Sequence, residues 1–503
     1  MTTRRLVDVM VLGGRVAPLS AACLLAKRGY KVVHVEHEGG SADYYDGDYR
    51  LPLEPDFVPG PKSSPAISRV LMELALLTDA QRLLRPIAPH LQIISPGHRF
   101  ELAGESSRRF RELSREFGEE DARRLERAIS SLLETDKSLD PLLEALPPLP
   151  PAGFMERRAL RKASSGLPLE GPRPLQENSS PLGTGFDGLA RFSTHLLANN
   201  PSHLHAVRSR ARLLRSGIHR YENPDGESRG SGYVPLLKRK LEELGGVSLA
   251  RGSAVAEEIQ VEGGRVAGLK VIEDSTEYRC RYLVSGVDTA VLHRLLPLEG
   301  RRHRYDADLD RVRPREILFS VNLVLPRRGL PPGLGELALH VSEPEGTGSE
   351  AGVILLQQFE AADREDTSIP DLVVLQASCF MPASRRELGE SYLEGLRDRL
   401  LDTLKADLLP FLDRHLVLAS SPMLTREGPA RGSRFLPHPL FESDIDAVLG
   451  VGLLRPRTPY KNLVLASREV VPGLGIEGEF LSGHRAAQII AHYARRHDPL
   501  KDQ

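Results

Sequence analysis

A chain of 503 residues is longer than one hydrophobic core serves, so two or more domains are expected. Its 67 Lys and Arg against 68 Asp and Glu leave a net charge of -1, which excludes a nucleic-acid-binding polycation and offers no steering towards an acidic substrate. Three distant cysteines, Cys23, Cys280 and Cys379, exclude a disulfide framework and a C-x-x-C zinc or redox site, and fit a reducing, cytoplasmic setting.

The N-terminus has no apolar region separate from its first apolar run, and no stretch reaches the ~20 apolar residues of a membrane span. Residues 6–12 (LVDVMVL) are read as a buried parallel strand, 18–29 as a helix ended by Gly29, and 31–36 (KVVHVE) as a second strand. Asp43 to Pro61 reads as a loop or short hairpin, and 65–85 and 105–146 as helical. A Pro-rich break at 147–151 precedes a long loop at 165–185 and a helix at 186–198. The amphipathic stretch 233–244 is closed by Gly245 and Gly246. Residues 247–288 alternate as strands do, with a hairpin turn at Gly263-Gly264. Strands are expected at 315–325, 351–360, 371–380 and 462–466, and helices at 385–409 and 480–495.

The opening strand, turn and helix have the outline of a dinucleotide-binding βαβ unit. In the G-x-G-x-x-G fingerprint, the first glycine makes the turn, the second admits the pyrophosphate and the third lets helix pack on strand. Here Gly13 and Gly14 open the turn, Arg15 stands in the second place and Pro18 in the third. Pro is tolerated in a first helical turn. Arg15 sets two effects against each other. Its guanidinium offers a phosphate about 4 kcal/mol at 4 Å and an effective dielectric of 20, while its side chain stands in the phosphate's way. Glu36, 23 residues after Gly13, closes the second strand where an acid holds a ribose hydroxyl.

Three segments together resemble the phytoene desaturase and retinol saturase-like flavoproteins of the amine-oxidase-like superfamily. They are the N-terminal unit with EHEGGSADYYDGDYRL, the run YVPLLKRKLEELGGVSLARGSAVAEEIQ...YLVSGVDTAVLHRLLP, and NLVLASREVVPGLGIEGEFLSGHRAAQII. The resemblance implies an α/β fold: an FAD-binding Rossmann-like domain from 1–75, 220–300 and 440–503, and a mixed α+β substrate domain from 76–219 and 301–439. It implies FAD as cofactor and hydride transfer with an isoprenoid or other apolar substrate. It places Gly39 and Gly40 after the ribose acid, Val255 against the adenine, and Ser467, Arg468, Gly475 and Gly478 near the diphosphate and ribityl chain. Glu477 stands where the family often has Pro.

Arg15 and Arg468 thus flank one expected diphosphate. Either they seek a phosphorylated ligand, or they cross-brace a vacated slot, paired with Glu36 or Glu477. The second case makes the chain a pseudoenzyme that has lost FAD and meets a protein partner; a lipid carrier is a third option. No catalytic acid or base is identified. The trio Asp43, Asp46 and Asp48 lacks the remaining ligands of a calcium loop and reads as a polar turn. His34, His37, His203, His205 and His484 have no metal-ligand spacing and read mostly as surface or strand-end residues. The basic run 206–220 reads as a solvated helix, with peripheral membrane contact as the alternative.

Overall fold

The computed structural model describes residues 3–37, 43–88, 91–167, 197, 199–200, 208, 218–222, 232–249, 255–272, 276–297, 303–342, 352–361, 371–425, 436–444 and 447–494. Two sheets organise it. The first has seven strands drawn from three distant parts of the chain. Strand β1 (Thr3–Leu12) lies between β2 (Val32–Val35) and Thr276–Ser285, parallel to both, and Leu463–Leu465 extends the parallel set. Parallel strands covered on both faces need apolar residues in succession, and Val9, Met10, Val11 and Leu12 are all fully buried. The strands Val255–Glu262 and Arg265–Ile272 add an antiparallel hairpin, turned by Gly263 and Gly264 as expected. This is the discontinuous Rossmann-like domain of the sequence reading.

Helix α1 (Val16–Lys27) crosses between β1 and β2 and is buried from Val16 to Ala26. It has no polar stripe because the sheet, helix Val234–Glu243 and the C-terminal helix Gly475–Tyr493 enclose it. The C-terminal helix approaches closely at Gly483, where a Cβ would lie 2.0 Å from Ser20 Oγ and 2.3 Å from the Ala17 carbonyl oxygen.

The second domain is built on an eight-stranded mixed sheet, in which Val312–Pro326 pairs from Glu316 onward with Leu372–Pro382 and at its start with Leu440–Ser443. Helix Glu390–Asp407 covers it with Leu393, Leu396, Leu400 and Leu404, one stripe at helical spacing. Helices Ser106–Phe117 and Glu119–Ser138 pack Leu113, Leu125, Ile129 and Leu132 over its far end.

Several elements depart from the sequence reading. The stretch 65–85 is two helices, Pro65–Glu73 and Leu77–Leu83, parted where Ala75 turns to φ +57. The C-terminal helix starts at Gly475, five residues before the expected start, so its glycines lie inside a helix rather than in a turn before it. Strands Gln92–Ser95, His98–Glu101 and Leu337–Val341 were not anticipated. The aspartate trio is the tight hairpin Asp43–Asp46 and Tyr49–Pro52, with Arg50 Nε donating to Asp43 at 2.7 Å. His34 and His484 are buried rather than on the surface. The expected helix 186–198 and most of the loop 165–185 and the basic run 206–220 lie outside the described residues. Arg208, within that run, is buried rather than solvated.

Candidate functional site

The site begins at the turn after β1. Gly13 has φ +115, a conformation that favours glycine, and its missing Cβ would press on the Gly286 backbone at 3.0 Å. His34 secures the turn: its Nε2–H donates to the Gly13 carbonyl and its Nδ1 accepts from Ser248, both at 2.8 Å. Burial lowers the pKa of His34, which keeps the ring neutral, as this bonding requires. Pro18 stands where the fingerprint's third glycine would be, and packs directly on Gly286. The close helix–strand approach survives because the glycine has moved to the opposing strand end. Gly14 is buried in the same turn.

The N-terminus of α1 is where a dinucleotide diphosphate would take backbone N–H groups and a favourable dipole. Here the Ala17 N–H donates to Glu479 Oε2 at 3.1 Å. Glu479 is buried and lies one turn before Gly483 on the C-terminal helix. The close approach at Gly483 is what lets this carboxylate reach over the start of α1.

A second helix start is capped in the same manner. Helix Thr289–Leu295 receives Glu469, whose carboxylate accepts the Thr289 N–H at 2.7 Å and its hydroxyl at 3.0 Å. Arg468 turns to Asp288, with Nε–Oδ1 at 2.9 Å and Nη2–Oδ2 at 2.5 Å, while its guanidinium lies 5.7 Å from the Phe441 ring centre. Its Nη1 is buried with no partner among the described residues. Arg15, about one-quarter exposed, lies 3.8 Å from Glu54. Ser467 is buried and its hydroxyl accepts the Glu469 N–H at 3.3 Å.

These charges form one cluster. Burial would raise the Asp288 carboxyl, but the Arg468 guanidinium with its hydrogen bonds, helped by Arg15, holds it below its ordinary value. Burial raises Glu479 against the pull of Arg15, the Ala17 N–H and Arg468. Burial and the nearby Asp288 push Glu469 up to about 8.

The sequence-expected residues sort clearly. The structure brings Gly13, Gly14, Arg15, Ser467 and Arg468 into one region. Neither arginine pairs with Glu36 or Glu477, which corrects that expectation. Glu36 is buried and receives Lys238 Nζ at 2.8 Å. Glu477 accepts from Arg208 Nε at 2.8 Å and from the Ser64 hydroxyl at 2.5 Å. Gly475 and Gly478 lie buried in the first turn of the C-terminal helix. Val255 opens its strand opposite Ile272. Gly39 and Gly40 lie outside the described residues. Sequence reasoning missed Glu479, Asp288, Glu54, Glu469 and Lys238. One signal was available: a carboxylate four residues before Gly483 in a helix otherwise rich in small and apolar residues.

Tested against these groups, FAD does not fit as they stand. Its diphosphate would have to displace Glu479 from the Ala17 N–H and lie beside Asp288 and Glu54. A like-charge pair at 4 Å costs about 4 kcal/mol at an effective dielectric of 20. At the ribose position Lys238 Nζ competes for one oxygen of Glu36, Oε1, at 2.8 Å. Among the described residues no cluster of His, Cys, Asp or Glu suits a metal ion, and no helix is long and apolar enough to cross a membrane.

No protein-family model and no curated protein matches the sequence. Solved structures do match the fold. An oxidoreductase from Methanosarcina mazei is 13% identical, with 96% of this chain and 100% of that one covered and a TM-score of 0.59. A putrescine oxidase variant from a redesign of cofactor binding is 17% identical, with 97% and 100% covered and a TM-score of 0.57. Cyclohexylamine oxidase from Brevibacterium oxydans is 14% identical, with 97% and 100% covered and a TM-score of 0.53. The chain therefore has the two-domain fold of these solved structures, the α/β architecture expected from the sequence.

Proposed function

We propose that this chain is a pseudoenzyme on the amine-oxidase-like fold: its dinucleotide groove is closed by its own side chains, and the fold serves as a binding or scaffolding module. One observation carries the reading, the Glu479 carboxylate on the Ala17 N–H where a diphosphate would bind. The Arg468–Asp288 and Lys238–Glu36 pairs support it, since each occupies a group that a dinucleotide would need.

A second reading keeps a flavin oxidoreductase of an isoprenoid or other apolar substrate. It rests on Arg468 Nη1, a buried donor without a partner among the described residues, and on the complete two-domain fold shared with the oxidases.

An absorption spectrum of the purified protein, taken after incubation with FAD and removal of excess, separates the two. The closed-groove reading expects no retained flavin in the wild type. It expects weak, measurable binding in Glu479→Ala, where α1 regains a free N-terminus. Stoichiometric flavin in the wild type would overturn it and leave the oxidoreductase.

A further inference from the structure

Helix Phe154–Ala163 follows the Pro-rich break and is fixed to the body at few points. Leu160 is its buried apolar anchor. Glu156 is a second tie, accepting from Arg485 Nη2 at 2.5 Å and from the Ala152 N–H at 2.7 Å. At 100° per residue, Leu160 and Glu156 share the inner face, and Phe154, Met155, Arg158, Arg161 and Lys162 share the opposite, outer one.

That outer face has an unusual composition. Phe154 and Met155 are each 73% exposed, more than any other large apolar side chain described. One turn on, Arg158, Arg161 and Lys162 are exposed, with Arg157 at the flank, and none has an acidic partner among the described residues. The one carboxylate of this helix, Glu156, faces inward and is consumed by Arg485. Beside it lie the exposed Arg457 and Tyr493, with the guanidinium 5.5 Å from the ring centre.

We propose that this helix docks the protein on an anionic lipid surface, with Phe154 and Met155 entering the interface and the cations meeting lipid phosphates. An apolar tip followed by a cationic turn is how an interfacial helix divides its contacts. The shape favours lipid over protein. A single ten-residue helix, about 15 Å long, presents far less than the roughly 800 Å² per partner of a stable protein interface, whereas a fluid headgroup layer closes around it. The proposal does not depend on whether the groove binds FAD.

The test is co-sedimentation of the full chain with phosphatidylcholine vesicles, with and without an equal part of phosphatidylserine. The wild type should pellet with the mixed vesicles and stay in solution with phosphatidylcholine alone. F154S/M155S should lose the binding. R158Q/R161Q/K162Q should weaken it on the order of a hundredfold, at about fivefold per cation. All five positions are exposed, so both variants should melt as the wild type does. Equal binding to both vesicle types, or binding untouched by either variant, would overturn the proposal. So would a wild type that ignores vesicles but self-associates in light scattering until Phe154 and Met155 are changed, because the face would then belong to a second copy.

Discussion

Arg208 and Arg468 are both buried and both held by carboxylates, yet the two cages differ in how they close. Arg208 gives Nε to Glu477 at 2.8 Å, Nη1 to Asp136 at 2.6 Å, and Nη2 to Glu477 at 3.1 Å and Asp140 at 3.3 Å. Every nitrogen is used, and the carboxylates come from three helices, Glu119–Ser138, Asp140–Glu144 and the C-terminal Gly475–Tyr493. Arg468 has one carboxylate partner, Asp288, and leaves Nη1 without a partner among the described residues. Around it stand Glu469 and Glu479, both with raised pKa values. The first cage is a finished structural brace. The second gathers two cations and several carboxylates beside a helix N-terminus, the arrangement on which the closed-groove proposal rests.

The largest effect expected from this contrast is on stability. Arg208→Met leaves Glu477 and Asp136 buried without their cation, and breaking such a pair costs about 3–5 kcal/mol. Arg468→Met removes the hydrogen-bonded partner of Asp288 alone, and that side chain keeps 13% exposure and can rehydrate, so its loss should be clearly smaller. Urea unfolding of the two variants measures the difference. Equal losses would erase the distinction between brace and site.

This contrast also marks how far the sequence could be read. The sheet that carries the site was legible because buried parallel strands need unbroken apolar runs and because Gly13, Gly29 and Gly263-Gly264 punctuate them. The altered fingerprint was legible too, since Arg15 and Pro18 stand at fixed offsets from Gly13. The partners of the altered turn were not. Glu479 and Ala17 are 462 residues apart, and only the packing at Gly483 joins them. Asp288 stands at a helix N-cap, where an acid ordinarily accepts from its own helix, and spacing alone cannot say that its carboxylate turns to Arg468 instead. The pairing of Arg15 and Arg468 with Glu36 or Glu477 failed for the same reason: each glutamate had a nearer cation, Lys238 or Arg208, brought in by a different element.

Proton uptake gives a second way to sharpen the contrast. Glu469 has a carboxyl pushed from an ordinary 4.5 up to about 8 by burial and by Asp288. Folding therefore takes up a proton across that window. The associated stability is full below pH 4.5 and lost as pH rises through about 8, at up to about 1.4 kcal/mol per pH unit. Glu479 acts in the same direction. Asp288 acts in the opposite one: its pKa is lowered from 3.8, so its contribution is present above that pH and lost as pH falls through the folded value. The urea midpoint of the wild type should fall between pH 5 and 8, a window set by Glu469, and Glu469→Gln should flatten that fall. An unchanged slope in the variant would show that the Arg468 cage is as settled as the Arg208 cage.

The smallest effect belongs to the ribose end of the groove. Lys238 Nζ meets Glu36 at 2.8 Å, but the lysine side chain keeps 29% exposure, so solvent screens the pair. Lys238→Met should cost no more than about 1 kcal/mol in urea unfolding, because a neighbouring water can replace the ammonium at the groove's edge. It should leave the pH slope of the Arg468 cage unaltered, as the two positions share no partner. A loss on the scale of Arg208→Met would mean that Glu36 is sealed like Glu477. On the closed-groove proposal, the ribose end would then be braced as firmly as the diphosphate end.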